Sequence, residues 1–186
     1  MNPRARGLVT VLAVGVLVVA GWPLLNSLLG PGTDALRNGE RLTLGSGSGT
    51  GSGSGRVRFA VGPGWTLRKS GSDPAQRYRL ERRTVKLTIA LVTPPAGTTP
   101  AQLWAGLRNT ARIAAPDAVL GEPSPYRDGL RGSIEQGGET GVATVLPGPG
   151  DDPSVETTAL GSPGSAADRA AADDVVASIR FEAADR

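Results

Sequence analysis

Residues 56–65 read RVRFAVGPGW and combine a strand pattern, a turn and a large aromatic residue. Apolar side chains alternate with arginine or alanine over the first six positions, which predicts a strand with one buried face. Gly62-Pro63-Gly64 predicts a turn, because glycine tolerates positive φ and proline fixes its own φ. A second strand is predicted to begin at Trp65, whose ring we expect in the core, with a platform for a stacked ligand as the alternative.

The pattern continues downstream with further strands and two helices. Residues 78–81 and 84–92 alternate on either side of Arg82-Arg83 and predict a β-hairpin. Thr99 is a good N-cap and Pro100 a good first residue for a helix that ends before Pro116. The remaining predictions are strands at 130–136, 141–146 and 154–160 and a helix at about 166–178, preceded by a capping-box pattern at Ser165 and Asp168.

This order of elements predicts an α+β fold. Short turns join successive strands, which favours an antiparallel sheet. Two amphipathic helices are then needed to cover the sheet. Residues 56–186 provide 131 residues for this unit, a common size for one domain with a substantial core.

The N-terminal segment predicts export. Residues 7–29 form an uncharged apolar run of 23 residues behind Arg4 and Arg6. A helix of this length spans a hydrocarbon layer of about 30 Å, and the two arginines orient its N-terminus inside the cell. The alternative is a cleaved signal peptide with residues 8–20 as its apolar core, which predicts a secreted protein.

These features divide the chain into three predicted parts. Residues 1–33 are a cytoplasmic stub and single-pass transmembrane anchor, and residues 34–55 are a stalk and a linker. The stalk ends in Leu42-Thr43-Leu44, which could pair as an edge strand. The linker, 45–55, contains only glycine, serine and threonine, so it is either a tether or a long loop between two strands. Residues 56–186 are the extracytoplasmic α+β domain.

The pattern resembles PsbP-like domains. The similarity lies in the strand 57–61 that leads into Gly62-Pro63-Gly64-Trp65, the helix with Leu103-Trp104, and the closing segment 175–181, VVASIRF. This resemblance implies an α/β/α sandwich with a central antiparallel sheet. It also implies a likeness to small exported or membrane-anchored actinobacterial proteins of unassigned function. The family includes extrinsic subunits that dock on larger assemblies, and it brings no shared catalytic residues.

The composition excludes several kinds of chemistry. The chain contains no cysteine and no histidine, which removes disulfides, thiol catalysis and the commonest zinc ligands. Charge is divided along the chain: residues 56–112 carry 11 basic and 2 acidic side chains, and residues 113–186 carry 5 basic and 13 acidic ones. The division favours either an anionic partner or two halves that fold against each other. The sequence predicts no catalytic residue, cofactor or metal site.

The candidate ligand-binding residues form a basic hairpin: Arg77, Arg79, Arg82, Arg83 and Lys86. Clustered guanidinium groups bind phosphate or carboxylate in a bidentate manner. Arg77 and Arg79 are predicted to project from one face of their strand, opposite Tyr78 and Leu80. The alternative is a charged edge that prevents strand-to-strand aggregation.

Other charged groups have weaker functional patterns. Asp151-Asp152 precedes Pro153 in a turn without the alternate spacing of a calcium loop. Asp173 and Asp174 are adjacent on a helix, so they point to different sides. Lys69 and Lys86 are the only lysines, and no sequence feature places a serine beside either one for Ser/Lys catalysis.

The favoured hypothesis is a membrane-tethered, extracytoplasmic, non-enzymatic domain that binds a protein partner of the envelope. A second hypothesis is that the basic hairpin recognises anionic lipid or a cell-wall polymer. A hydrolase of unknown type is the third, and it requires a concave pocket with a buried carboxylate or lysine. Nucleic acid is not predicted as a partner, because a single tyrosine is little aromatic content among the arginines.

Overall fold

Alternating apolar residues build a strand-rich structure in the computed structural model, which describes residues 32–45, 55–150 and 152–182. From Thr33 onward these residues belong to one folding unit. Its elements in chain order are β1 (Thr33–Ala35), β2 (Glu40–Leu44), β3 (Arg56–Val61), β4 (Thr66–Arg68), β5 (Arg77–Arg82), β6 (Val85–Val92), α1 (Pro100–Ala114), β7 (Val119–Leu120), β8 (Ser124–Tyr126), β9 (Gly129–Gln136), β10 (Glu139–Leu146), β11 (Ser154–Gly161), α2 (Ala166–Ala177) and β12 (Arg180–Glu182).

The strands form two antiparallel sheets. The larger has nine strands in the order β1-β4-β5-β6-β11-β10-β9-β7, and β8 also pairs with β9. The smaller has the order β12-β3-β2. The α+β class with antiparallel sheets and two helices is therefore confirmed, whereas the single central sheet of the prediction is replaced by two.

The main core lies between the small sheet, α2 and one face of the large sheet. Val57, Phe59 and Val61 of β3 are buried there, because every second side chain of the strand points inward. Trp65 is 1% exposed, which confirms the predicted core position. The large sheet contributes Leu80 of β5 and the apolar residues of β6 to the same cluster.

Helix α1 lies on the opposite face of the large sheet, over β7, β9 and β10. It begins at a complete capping box, in which Thr99 Oγ1 accepts from the Gln102 backbone N–H and Gln102 Oε1 accepts from the Thr99 N–H. Its apolar residues Leu103, Trp104 and Leu107 form a second core with Ile134 and neighbouring residues of the sheet. The first predicted helix is therefore confirmed together with its N-cap.

The predicted capping box at the start of α2 is wrong. Ser165 makes no side-chain cap to the helix, and its hydroxyl donates to the carbonyl of Ser162 at 2.7 Å. Asp168 accepts instead from Arg82 of β5. A carboxylate that meets a guanidinium gains more than one that meets a neutral backbone N–H, so the tertiary ion pair replaces the local motif.

The N-terminal part of the described chain also differs from the sequence prediction. Residues 34–44 were assigned to a stalk whose last residues, 42–44, could pair as an edge strand. The edge strand is confirmed as part of β2, which pairs with β3, whereas β1 and its pairing with β4 were not predicted. Since β2 and β3 are antiparallel neighbours, residues 45–55 connect two strands of one sheet, which was the loop alternative for this segment. The predicted anchor, residues 7–29, lies outside the described residues. Neither α1 nor α2, the helices that the structure describes, has the length and apolar character needed to cross a bilayer.

A candidate binding groove beside the first helix

The large sheet is only partly covered on the face that carries α1. The helix packs mainly over β7, β9 and β10, and residues of β5, β6 and β11 on this face line a groove beside it. A groove of about 530 Å³ lies between the helix and β5. This volume falls within the usual range for small-ligand sites, about 300–1,000 Å³.

One wall of the groove is helical and small-residue rich. Leu107, Thr110, Ala111 and Ala114 of α1 line it, at the spacing of about one and two turns that places residues on one side of a helix. Leu107 is buried and Thr110 is exposed, so the wall is apolar near the sheet and polar toward the solvent.

The floor comes from two central strands. Thr88 and Ala90 of β6 lie beside Thr158 and Glu156 of β11, because the register pairs Thr88 with Thr158 and Ala90 with Glu156. Side chains of paired residues share a face, so all four project into the groove. The small side chains of Thr88, Ala90 and Thr158 leave room for a ligand, and Glu156 is the charged residue among these four.

Arg77 and Arg79 of β5 form the other wall. Both are exposed, and neither makes an ion pair with any residue that the structure describes. Arg79 lies against Gly71, which has a φ of +83°, and a Cβ there would lie 2.8 Å from Arg79 Nη1. The absence of a side chain at Gly71 therefore makes room for the guanidinium at the edge of the groove.

The five predicted basic residues do not form one cluster. Arg77, Arg79 and Lys86 line the groove, and the last of these pairs with Glu139 at 2.9 Å. Arg82 points to the opposite face, where its Nε donates to Asp168 at 3.0 Å. Arg83 lies in the hairpin turn with a φ of +50°. The strand period of two explains the division, because Arg82 shares the face of Leu80.

Glu156 was not among the predicted site residues. It is half-buried, it is flanked in register by Ala90 and Val145, and its carboxylate has no hydrogen bond or ion pair within the described part of the chain. Burial raises the pKa of Glu156, since removal from water disfavours the charged form. The only sequence signal was a lone charged residue in the middle of a predicted strand.

Substitution of Glu156 by glutamine is expected to stabilise the protein at neutral and alkaline pH. A raised folded-state pKa means that the folded state holds the proton more tightly, so wild-type stability falls as pH rises from the ordinary glutamate value of 4.5 to the raised pKa. The glutamine variant does not lose stability in this way, because glutamine does not ionise. Urea denaturation of both proteins across the pH range measures the difference, which grows through that window and is constant above it.

The charged groups that share the groove with Glu156 are Arg68, Arg77, Arg79, Glu81, Lys86 and Glu139. They are present in both proteins, so their titration cancels in the comparison to first order. A stability difference that shrinks as pH rises would contradict a pKa raised by burial.

The remaining charged candidates are engaged in structural contacts. Asp173 accepts from Arg131 and Asp174 is exposed, so they point to different sides as predicted. Lys69 pairs with Asp34 at 3.0 Å. Asp151 lies outside the described residues, and within the described ranges no three acidic residues lie close enough to hold a metal ion.

The sequence matches no protein-family model and no curated protein. The structure is similar to the solution structure of cyanobacterial PsbP (CyanoP) from Synechocystis sp. PCC 6803, with a TM-score of 0.48 and 19% sequence identity. The similarity covers 75% of this chain and 99% of that chain. The sequence pattern resembles the same class, PsbP-like domains. The likeness to the solved structure concerns the fold alone.

Proposed function

We propose that the protein is a non-enzymatic binding domain, tethered to the outer side of a membrane, that holds a segment of an envelope protein in the groove beside α1. The observation that carries this proposal is the wall formed by Arg77 and Arg79. Two guanidinium groups without counter-ions in the described structure face a groove of ligand size. Exposed guanidinium groups bind carboxylates in a bidentate manner.

The tether follows from the apolar run at 7–29, and β1 begins only a few residues later, at Thr33. A domain held by a membrane anchor meets its partners at the membrane. Its partner is accordingly a protein of the same envelope.

Recognition of anionic lipid by the whole basic hairpin has less support. A membrane surface is broad and requires its basic residues on one exposed face. Arg82 lies on the opposite face of the strand from Arg77 and Arg79, and Asp168 neutralises it. Arg83 lies in the hairpin turn, and Arg77 and Arg79 line a concave site, which suits a narrow ligand better than a bilayer.

A hydrolase has one observation in its favour, the half-buried carboxylate of Glu156 in a concave site. Hydrolases typically combine such a group with a second one, so that one acts as nucleophile or base and the other protonates the leaving group. No titratable side chain of the described residues hydrogen-bonds to Glu156. Binding is therefore the function that we propose.

Photocrosslinking tests the proposal. A photoreactive amino acid replaces Thr110, on the open wall of the groove, in full-length protein expressed in its native host. We expect one recurrent protein adduct from this position. The combined substitutions Arg77→Glu and Arg79→Glu are expected to reduce its yield at least about tenfold, because two favourable charge contacts become repulsive.

Two controls accompany this measurement. The photoreactive residue at Asp174, which is exposed on α2, should give no such adduct. Charge reversal at Arg41, an exposed arginine of the small sheet, should leave the adduct from position 110 unchanged. An adduct that forms equally from both positions, or that survives reversal at Arg77 and Arg79, would show that the groove is not the binding site.

A further inference from the structure

We infer that the segment bound in the groove carries two charges, an ammonium group that contacts Glu156 and a carboxylate that contacts Arg77 and Arg79. The inference rests on the proposed function and names the chemistry of its ligand. A lysine and an acidic residue close together in an extended segment provide both groups.

The first support is the charge balance of the groove. Seven charged side chains line it, and four of them form two ion pairs within the protein. Arg68 pairs with Glu81 at 2.9 Å and Lys86 pairs with Glu139 at 2.9 Å. Arg77, Arg79 and Glu156 have no partner in the described structure. The side chains without an ion-pair partner therefore include both positive and negative charges. A ligand with only negative charge would leave Glu156 without a partner.

The second support is the arrangement of the unpaired groups. The register runs from Arg77 to Ala90 and then to Glu156, so two strand spacings, about 10 Å, separate the Cα atoms of the two charged residues. No ion pair joins them. The arginines stand on the wall and Glu156 on the floor, so a ligand that crosses the groove meets opposite charges at its two sides.

The third support is the position of Glu156. A charged carboxylate at a half-buried site loses part of its hydration. A charge-assisted hydrogen bond to a partner cation compensates for that loss. Its neighbours are apolar or hydroxyl-bearing: Ala90 and Val145 in register, and Thr158 two residues along β11. A lysine stem packs along such a surface while its ammonium group reaches the carboxylate.

Matched peptides test the inference. The probe is the capped hexapeptide acetyl-Ala-Lys-Ala-Glu-Ala-Ala-amide, whose charged residues share one side of an extended chain about 7 Å apart. One control peptide has norleucine in place of lysine, and the other has glutamine in place of glutamate. Isothermal titration calorimetry uses the full chain in a non-ionic detergent, with peptide up to about 10 mM so that millimolar affinities are measurable.

We expect each control peptide to bind wild-type protein at least about fivefold more weakly than the probe. With Glu156→Gln, the probe and the norleucine peptide should bind equally, and the glutamine peptide should remain weaker. With Arg77→Gln and Arg79→Gln together, the probe and the glutamine peptide should bind equally, and the norleucine peptide should remain weaker. This crossed pattern assigns each ligand charge to its own contact.

Different results identify different failures. Equal binding of the probe and the norleucine peptide to wild-type protein, or no binding of any peptide, overturns the two-charge inference. If the groove adduct from position 110 still depends on Arg77 and Arg79 in that case, the proposed function stands with a purely anionic ligand. If the adduct does not depend on them either, the proposed function fails as well.

Discussion

Substitution of Gly141 by alanine is expected to prevent stable folding. Gly141 lies in β10 opposite Leu160 of β11, and a Cβ at this position would overlap the carbonyl oxygen of Ala159 and lie 2.7 Å from its carbonyl carbon. The obstacle is backbone, which no change of side-chain rotamer removes. Strand β11 has no room to move away, because β6 holds its other edge through eight paired residues.

We expect a loss of at least about 4 kcal/mol in the free energy of unfolding, at the upper end of the range for point substitutions. Chemical denaturation followed by far-UV circular dichroism measures this loss. Recovery of only unfolded or aggregated protein would mean that the loss exceeds the stability of the wild-type protein. A native-like stability for the variant would show that β10 and β11 do not approach as closely as the structure places them.

Gly106 provides the matched control for the same chemical change. It is exposed in the middle of α1, and a Cβ there would have no atom within 4 Å. Alanine costs less backbone entropy than glycine in a helix, so Gly106→Ala should stabilise the protein by about 0.5–1 kcal/mol. The two substitutions are thus expected to have opposite signs, which separates a local clash from any general effect of losing glycine.

Substitution of Asp168 by alanine is expected to cost about 3 kcal/mol, because it leaves the Arg82 guanidinium partly buried without its partner. The Asp168 side chain is 8% exposed and that of Arg82 is 23% exposed. Arg82 Nε and Asp168 Oδ1 are 3.0 Å apart. The pair joins α2 to β5 across the main core. Urea denaturation at neutral pH measures the loss.

An exposed ion pair on the same hairpin is the control. Lys86 and Glu139 are 2.9 Å apart, but the lysine side chain is 60% exposed. Solvent screens such a pair, so Glu139→Ala should cost less than about 1 kcal/mol. If Asp168→Ala costs no more than Glu139→Ala, the Arg82 pair does not contribute through its burial.

Strand positions were predictable from the sequence because the alternation of side chains is a local property. The β5–β6 hairpin and α1 were predicted within a few residues for this reason. The small sheet was not predicted as a separate sheet, because β12 pairs with β3 across most of the chain and no local pattern encodes that partner. The alternation at Leu42-Thr43-Leu44 made an edge strand predictable within β2, but β1 has only three residues, so a stalk was the natural interpretation of its sequence.

The candidate site shows the same limit. The shared face of Arg77 and Arg79 follows from the two-residue strand period, and that period also sends Arg82 to the opposite face. Glu156 becomes a neighbour of the basic wall only through the β6–β11 register. This pairing joins segments separated by α1 and two intervening strands, so a single sequence gives no reason to group Glu156 with the arginines.

The small sheet also determines when folding can finish. Strand β3 needs β12 on one side, and Phe181 pairs with Val57. In a chain that emerges from a ribosome or a translocon N-terminus first, β3 leaves the exit long before β12 does. One edge of β3 therefore stays open through most of synthesis and is available to other chains. The small sheet is completed only after β12 has emerged, and a chaperone has most to contribute while that edge of β3 is still open.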